Sequence, residues 1–394
     1  MRVALGVTGG IAAYKAPEIV RGLDQAGVEV QVVLTRNAEH FVTPLTLQTL
    51  SRRRVLRDTF AMDAEETVRH VDLARDLDAF VVAPATANAL AKMAHGIADD
   101  LLSTFHLAVT APTLVAPAMN TRMWEHAAVR ESVARLRARG VTIVDPDSGW
   151  LAENEVGVGR MAEPAAIVAA TLRAARRGRQ LAGKRILVTA GPTREPVDPV
   201  RFLSNRSSGK MGYALAEAAF ARGASVVLVS GPVALAPPHG VEVLRVETAE
   251  EMRRAVLAVG DVDAVLMAAA VADHAPQAAP SKIKKTGGTL TLTLDPGPDI
   301  LAELGSLGKD KRALLVGFAA ETDDLLANAR EKLRAKNLDF IVANDVSRSD
   351  RGFDADTNAV TVLDCAGGKL DVPLGSKRQV AEAILDRVFG EDAA

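Results

Sequence analysis

One pattern constrains this chain more than any other: short apolar runs, each ended by a glycine-containing loop, alternate with stretches of helical hydrophobic spacing. Val3 to Val7 reads as a buried strand, Thr8-Gly9-Gly10 follows, and Ile11, Ile19, Val20 and Leu23 recur at helical spacing until Gly27 stops the helix. A second apolar run occupies 28–35, and later ones fall at 79–83, 113–116 and 142–144, separated by helical segments near 86–95 and 123–139. Parallel neighbours can be joined only by long return connections, so this alternation predicts a doubly wound, parallel α/β sheet.

A basic, glycine-containing stretch from Arg176 to Lys184 interrupts the pattern, and the same logic then begins again. The second series has a strand at 185–189, a polar Gly/Pro loop, a helix from Met211 to Arg222, and strands at 226–230, 264–268, 313–317 and 340–343. At 394 residues the chain exceeds what one ordinary core organises, and the expected domains are 1–178 and 183–394. Thr289 to Leu294 alternates Thr and Leu, the mark of a half-exposed strand. Ala359 to Leu363, with Leu370 and Val372, predicts an antiparallel pair; these segments suit edge strands, a flap or a dimer contact.

Composition narrows the function. The chain is 48% hydrophobic and 24% charged, which suits helices on buried parallel strands. Its 47 basic and 49 acidic residues give a net charge of -2, so no overall basic field exists for nucleic acid or an anionic membrane, and small-molecule partners are expected. No apolar stretch approaches the roughly 18 residues of a spanning helix, and the expected compartment is the cytoplasm. Cys365 is the single cysteine, which excludes an intrachain disulfide and a zinc site built on several cysteines; the seven histidines show no metal-ligand spacing.

In the first half, Gly9-Gly10 between strand and helix lets the backbone approach a phosphate, or makes only a tight turn. The string Gly157-Val158-Gly159-Arg160-Met161-Ala162 matches a dinucleotide fingerprint by letters, yet no strong strand precedes it and it is read as a decoy. Pro84 to Asn88 and Pro117 to Asn120 leave the C-terminal ends of predicted strands, where doubly wound sheets bind ligands; Asn120 suits either a ligand or a helix cap. His70 can act as a base near neutral pH, or simply pack on the surface.

Taken together, Gly9 to Lys15 (GGIAAYK), His70, Pro117 to Trp124 (PAMNTRMW) and Gly159-Arg160-Met161 resemble the flavin-dependent cysteine decarboxylases over about residues 1–175. The resemblance implies a flavodoxin-like fold and FMN, at which the substrate thiol is oxidised so that the thioaldehyde serves as electron sink while carbon dioxide leaves. It also implies that His70 is the acid/base residue, that Asn120 holds the departing carboxylate, and that Gly9, Gly10, Thr35, Thr86 and Ser103 neighbour the flavin. One departure stands out. After Ser148-Gly149-Trp150-Leu151-Ala152 the family usually has a cysteine that protonates the enethiol, whereas this chain has Glu153. Either Glu153, raised in pKa by a dry pocket, supplies that proton, or it is an exposed loop residue and the reaction stops at the oxidised enethiol, as in related peptide-modifying decarboxylases.

In the second half, Thr189 to Pro196 follows a strand and Asn205 to Gly212 opens a helix, both suited to phosphate. The second segment is not a P-loop, because Ser204 stands where its first glycine belongs and Met211 follows the lysine. Ala268 to Asp273 ends a strand at a carboxylate, and Lys282-Ile283-Lys284-Lys285 follows, a pairing that suits a magnesium-bound triphosphate or a merely solvated loop. With Gly317 to Thr322 (GFAAET), these segments resemble phosphopantothenate-cysteine ligase over about 183–390. The resemblance implies a Rossmann-like nucleotide-binding domain in which CTP, with Mg2+, converts the 4'-phosphopantothenate carboxylate to an acyl-cytidylate that L-cysteine attacks. Asn205 would then hold the acyl-cytidylate, Arg201 assist, and Lys282 act in the intermediate's chemistry. Ala269, Asp273, Pro298, Asp299, Ile300, Phe318, Lys332 and Lys336 would contact CTP, with Asp273 on the metal side. Lys332 and Lys336, four apart on a predicted helix, can face one ligand. The resemblance further implies trimeric flavin domains and dimeric ligase domains, and so a dodecamer.

A flavin-binding regulator without catalysis, the alternative from another class, has no use for His70 and Asn120 in this arrangement. A nicotinamide dehydrogenase lacks its strand-placed fingerprint.

Overall fold

The computed structural model describes residues 1–57, 73–150, 155–175, 180–284, 289–307, 313–321, 324–345 and 355–390; His70 and Glu153 lie outside them. It comprises two compact units, Met1–Gly178 and Arg179–Ala394.

In the first unit, β1 (Arg2–Val7), β2 (Glu29–Leu34), β3 (Ala79–Ala85), β4 (Thr113–Pro117) and β5 (Thr142–Ile143) form a parallel sheet in the order β2-β1-β3-β4-β5. The helices are α1 (Ala16–Gln25), α2 (Pro44–Ser51), α3 (Ala87–His95), α4 (Leu101–Ala108), α5 (Thr121–Glu125), α6 (Ala127–Ala138) and α7 (Pro164–Ala175). Strands covered on both faces are apolar throughout, as Val3, Leu5, Val81 and Val82, all fully buried, illustrate.

Two local readings are corrected. Ile11 is 62% exposed and does not belong to the apolar stripe of α1. Residues Ile11–Lys15 form a separate 3-10 turn, because Pro17, which has no N–H, suits the first turn of a new helix and not the middle of a longer one. The helix expected over 123–139 is likewise split at His126, which takes an extended conformation while its Nδ1 accepts from Ala128 N and caps α6. Beyond the sheet, β6 (Asp147–Trp150) and β7 (Val156–Arg160) pair as an antiparallel hairpin. The Gly157-Val158-Gly159 string therefore lies within a hairpin strand and opens no helix, as its flanks predicted.

In the second unit the main sheet contains β8 (Arg185–Ala190), β11 (Ser225–Ser230), β12 (Glu242–Arg245), β13 (Ala264–Met267), β16 (Leu314–Glu321), β17 (Phe340–Asp345), β18 (Thr357–Asp364) and β19 (Lys369–Ser376). Its order is β12-β11-β8-β13-β16-β17-β18-β19, parallel as far as β17 and antiparallel beyond. Two short pairs stand apart: β9 (Arg194–Pro196) with β10 (Phe202–Ser204), and β14 (His274–Pro276) with β15 (Leu294–Pro296). The helices are α8 (Lys210–Ala221), α9 (Ala249–Ala258), α10 (Ile300–Ser306), α11 (Leu325–Ala335) and α12 (Lys377–Phe389). The strand expected over 289–294 is not formed; pairing begins only at Leu294, and Leu290 and Leu292 stay exposed. An alternating strand needs a neighbour for its backbone and a layer for its apolar face, and among the described residues neither meets 289–293. The pair at 359–363 and 370–372 forms as expected but extends the main sheet, with Val360, Val362 and Val372 buried in the core and not in a free flap.

Candidate active sites

The first sheet has a topological switch between β1 and β3, since β2 lies on one side of β1 and β3 on the other. Ligands of doubly wound sheets bind beyond the strand ends at such a point. There the Thr8 hydroxyl donates to Pro84 O at 2.7 Å and accepts from Thr86 N at 3.1 Å, stitching the two loops together. Gly9 must be small, because a Cβ would stand 2.4 Å from that of Asn37. Gly10 then leads into the Ile11–Lys15 turn, whose first amides no side chain of the described residues caps, a donor set that fits a flavin phosphate. Thr86 accepts from Ala89 N and starts α3. Thr35 donates to Val7 O at 3.2 Å, and Ser103, buried, is consumed by the reciprocal cap with Asp100 that starts α4. These two have less to offer a ligand than Gly9, Gly10 and Thr86.

Asn120 follows β4. Its Oδ1 accepts from Arg122 N at 2.8 Å, so what it presents to a ligand is the Nδ2 donor, the end that suits a carboxylate. The hairpin closes on this loop: Met119 N donates to Gly159 O at 3.0 Å, and a Cβ on Gly159 would meet Met119 O at 2.2 Å. A Cβ on Gly157 would meet the Thr121 hydroxyl equally closely, so both glycines serve approach to the 119–121 loop.

In the second unit the parallel strands run in the dinucleotide-fold order, with the switch between β8 and β13. A cleft of about 660 Å³ opens there, lined by Asn205, Ala269, Asp273, Pro298, Asp299, Ile300, Phe318, Lys332 and Lys336 among others. These nine were singled out in the sequence, and the fold gathers them from five chain segments. Thr189 Oγ1 accepts from Ala269 N and Thr193 Oγ1 from Ala272 N, joining the loops across the switch. Asn205 Nδ2 donates to Val271 O at 3.0 Å and Ala270 O at 3.3 Å, which leaves its Oδ1 for a ligand. Gly212 lets α8 rest on β8, since a Cβ would lie 2.6 Å from that of Ala190.

Asp299 caps α10 through Ala302 N and pairs with Lys336 Nζ at 2.8 Å. Burial pushes its carboxyl up, but the Lys336 ammonium and the backbone N–H groups outweigh this and hold it below its ordinary value. Among the described residues no group of three or more His, Cys, Asp or Glu could hold a metal alone. Asp273, an exposed carboxylate, fits Mg2+, which is usually held by one or two carboxylates together with substrate phosphates and water.

Arg201 and Lys282 do not line the cleft. Arg201 is held instead by the fully buried Asp198 carboxylate, which accepts from Val200 N, Arg201 N, the Arg201 guanidinium and the backbone N of Ile283, the residue after Lys282. The guanidinium, helped by the amides and only partly opposed by burial, holds the Asp198 carboxyl far below the carboxylate range. Sequence reasoning passed over Asn344, Asn358 and Lys377, which also line the cleft. Asn344, at the end of β17, has a buried Oδ1 without a partner among the described residues, and the strand-end rule that selected Asn120 would have found it. Asn358 and Lys377 come from the antiparallel extension and carry no such signal.

Two switch-point crevices, one in a flavodoxin-ordered sheet and one in a dinucleotide-fold sheet with lysines on its wall, define a two-domain α/β enzyme with a nucleotide-type site in each half. The family described as "Flavoprotein" matches residues 1–176, and "DNA/pantothenate metabolism flavoprotein C-terminal domain" matches 181–390. "Coenzyme A biosynthesis bifunctional protein CoaBC" of Bacillus subtilis (strain 168) is 49% identical over 391 residues, 98% of this chain and 96% of that protein. Its namesake in Vibrio parahaemolyticus is 46% identical over 98% of this chain and 97% of its own length. The solved C-terminal domain of a protein of that name is 46% identical, covering 54% of this chain and 97% of that one, with a TM-score of 0.46. The chain belongs to the coenzyme A biosynthesis bifunctional protein CoaBC family. It is a bifunctional enzyme of coenzyme A biosynthesis, with ligase and decarboxylase activities on pantothenate-derived substrates and a flavin as cofactor. No helix among the described residues is long and apolar enough to cross a membrane.

Proposed function

We propose that the second unit couples L-cysteine to 4'-phosphopantothenate with CTP and Mg2+, and that the first decarboxylates the product to 4'-phosphopantetheine with FMN. The observation that carries the ligase reading is the convergence of Asn205, Asp273, Asp299, Lys332 and Lys336 on one cleft. In it the phosphopantothenate carboxylate attacks the α-phosphorus of CTP and pyrophosphate leaves. The cysteine amine then attacks the acyl-cytidylate, losing a proton, and CMP leaves. Lys332 and Lys336 stabilise the phosphates, Asp273 would hold a magnesium ion that neutralises their charge, and Asn205 holds the acyl-cytidylate at the switch point. Arg201 and Lys282 stand off the cleft of their own chain, so their part in this chemistry requires a second copy, which the proposed ligase dimer supplies.

For decarboxylation, FMN when bound supplies the redox chemistry at the substrate thiol. Asn120 presents its Nδ2 donor to the carboxylate that leaves, His70 serves as acid/base, and Gly9, Gly10 and Thr86 form the phosphate side of the crevice, with Thr35 and Ser103 supporting it. Glu153 takes the place of the proton-donating cysteine. A second reading, release of the oxidised enethiol, rests on that same substitution.

Mass spectrometry of products from protein, phosphopantothenate, cysteine, CTP and Mg2+ separates these readings. Loss of carbon dioxide alone from the condensed intermediate is expected, and its disappearance in Glu153→Gln supports Glu153 as acid. Loss of carbon dioxide plus two hydrogens selects the enethiol, while no condensation overturns the ligase reading. Asn205→Ala should stop turnover of the acyl-cytidylate; normal turnover removes Asn205 from this role. Trimeric flavin units, dimeric ligase units and a cytoplasmic dodecamer complete the proposal, which light scattering tests through the particle mass.

A further inference from the structure

Lys15 ends the turn that follows Gly9-Gly10 and is only 7% exposed. Its ammonium reaches both carboxylate oxygens of Glu163, at 3.3 and 3.2 Å. The same carboxylate accepts from Arg160 Nη2 at 2.5 Å, and Arg160 is the last residue of β7. Glu163 also stands at the head of α7, where its carbonyl accepts from Ala166 N and Ile167 N. One side chain thus ties together the phosphate-side turn, the end of the hairpin and the start of a helix packed against the sheet.

Two facts give this bridge consequences. A buried ammonium needs its counter-charge, so Lys15 and Glu163 are energetically coupled and not merely adjacent. Strand β7 in turn bonds Met119 and abuts Thr121, the neighbours of Asn120, through the close approaches of Gly159 and Gly157. Any slack at Glu163 therefore passes to the loop that presents the Asn120 amide.

We infer that Glu163 is a positioning residue for decarboxylation: the Lys15–Glu163–Arg160 bridge fixes the spacing between the Gly9-Gly10 turn and the Asn120 loop. The inference rests on the crevice and on the role proposed for Asn120. It gives Glu163 no contact with substrate.

The test uses the full-length, flavin-loaded enzyme as Glu163→Ala, Lys15→Met, the double variant and Glu163→Gln, with Asn120→Ala alongside. Thermal unfolding, the visible flavin spectrum, ligation rate, and kcat and KM for decarboxylation are read on each. Glu163→Ala leaves an ammonium buried without its partner and should lower the unfolding midpoint more than Lys15→Met; removing both groups should restore most of the loss. A positioning role predicts that kcat nevertheless stays roughly 10- to 100-fold down in the double variant, since small misplacements of this kind cost about that much. KM, flavin content and ligation should change little, and Glu163→Gln, which keeps one acceptor oxygen, should recover part of kcat. Recovery of kcat together with the midpoint in the double variant means a structural role only and overturns the inference, as does an unchanged kcat in Glu163→Ala. Loss of flavin from every variant at saturating FMN also overturns it, in favour of cofactor binding. Full turnover by Asn120→Ala would instead sink the site reading on which the inference stands.

Discussion

Gly209→Ala is the substitution whose effect the geometry specifies most completely. Gly209 is the N-cap of α8 with φ at +75°, and it lines the cleft of the second unit. Placing an L-residue in the left-handed region costs roughly 1–2 kcal/mol. The new Cβ would also lie 2.7 Å from Val233 Cγ1 and 3.3 Å from Gly191 N. Val233 can move, but a branched side chain pushed off its rotamer costs about 0.5–1.5 kcal/mol. Together these give about 1.5–3.5 kcal/mol, or a fall of roughly 3–14 °C in the transition of a unit this size. Gly260 is the internal control: its φ is +74° and, its chain neighbours aside, no atom of the described residues lies within 4 Å of an added methyl, so Gly260→Ala carries the conformational cost without the collision. Calorimetry of both variants is the assay, with turnover of CTP measured beside it. The expected order is Gly209→Ala below Gly260→Ala below the parent, with pyrophosphate release slowed only in the first, because the first turn of α8 is displaced there. A Gly209→Ala transition equal to that of Gly260→Ala would refute the argument from close approach.

Three further outcomes follow from the geometry. In the folded chain Asp198 titrates below its unfolded value of about 3.9, so its pairing contributes stability that is complete above that value and is lost as pH falls towards the lower, folded one. Urea midpoints followed from about pH 6 down to 2 should therefore drop less steeply for Asp198→Asn than for the parent, and parallel curves would remove Asp198 as a source of acid sensitivity. Gly159→Ala, whose methyl would meet Met119 O at 2.2 Å, should depress decarboxylation at least tenfold while ligation continues; equal loss of both activities would point to general unfolding. Lys336→Met should raise the KM for CTP by about tenfold, the effect of losing one charge-assisted contact, and a double-mutant cycle with Asp299→Asn should show coupling through their 2.8 Å pair. Additive effects in that cycle would mean that the pair contributes nothing to nucleotide binding.

The limits of sequence reading show at particular residues. Local pattern sufficed where a segment's burial depends on its own face, as in β1, β3 and β13, whose apolar runs mark strands covered on both sides. It misplaced Ile11, because one apolar residue at helical spacing carries no information about where Pro17 will make the backbone restart. It predicted a strand at 289–294 of which only Leu294 is paired among the described residues, since alternation describes a face and not the partner that would cover it.

By itself, then, the sequence determined the alternation that makes two parallel sheets, the break between them, the glycine loops at the strand ends and the chemical types gathered there. Those features are local: a period, a missing side chain, a charge beside a turn. Only the tertiary structure decided that nine residues from Asn205 to Lys336 share one cleft while Arg201 and Lys282 stand outside it, Asp198 binding the Arg201 guanidinium and the Ile283 amide. Only the fold could join Lys15 to Glu163 across 148 positions. Strand order and packing determine which distant loops meet, and those depend on contacts that no stretch of sequence contains alone.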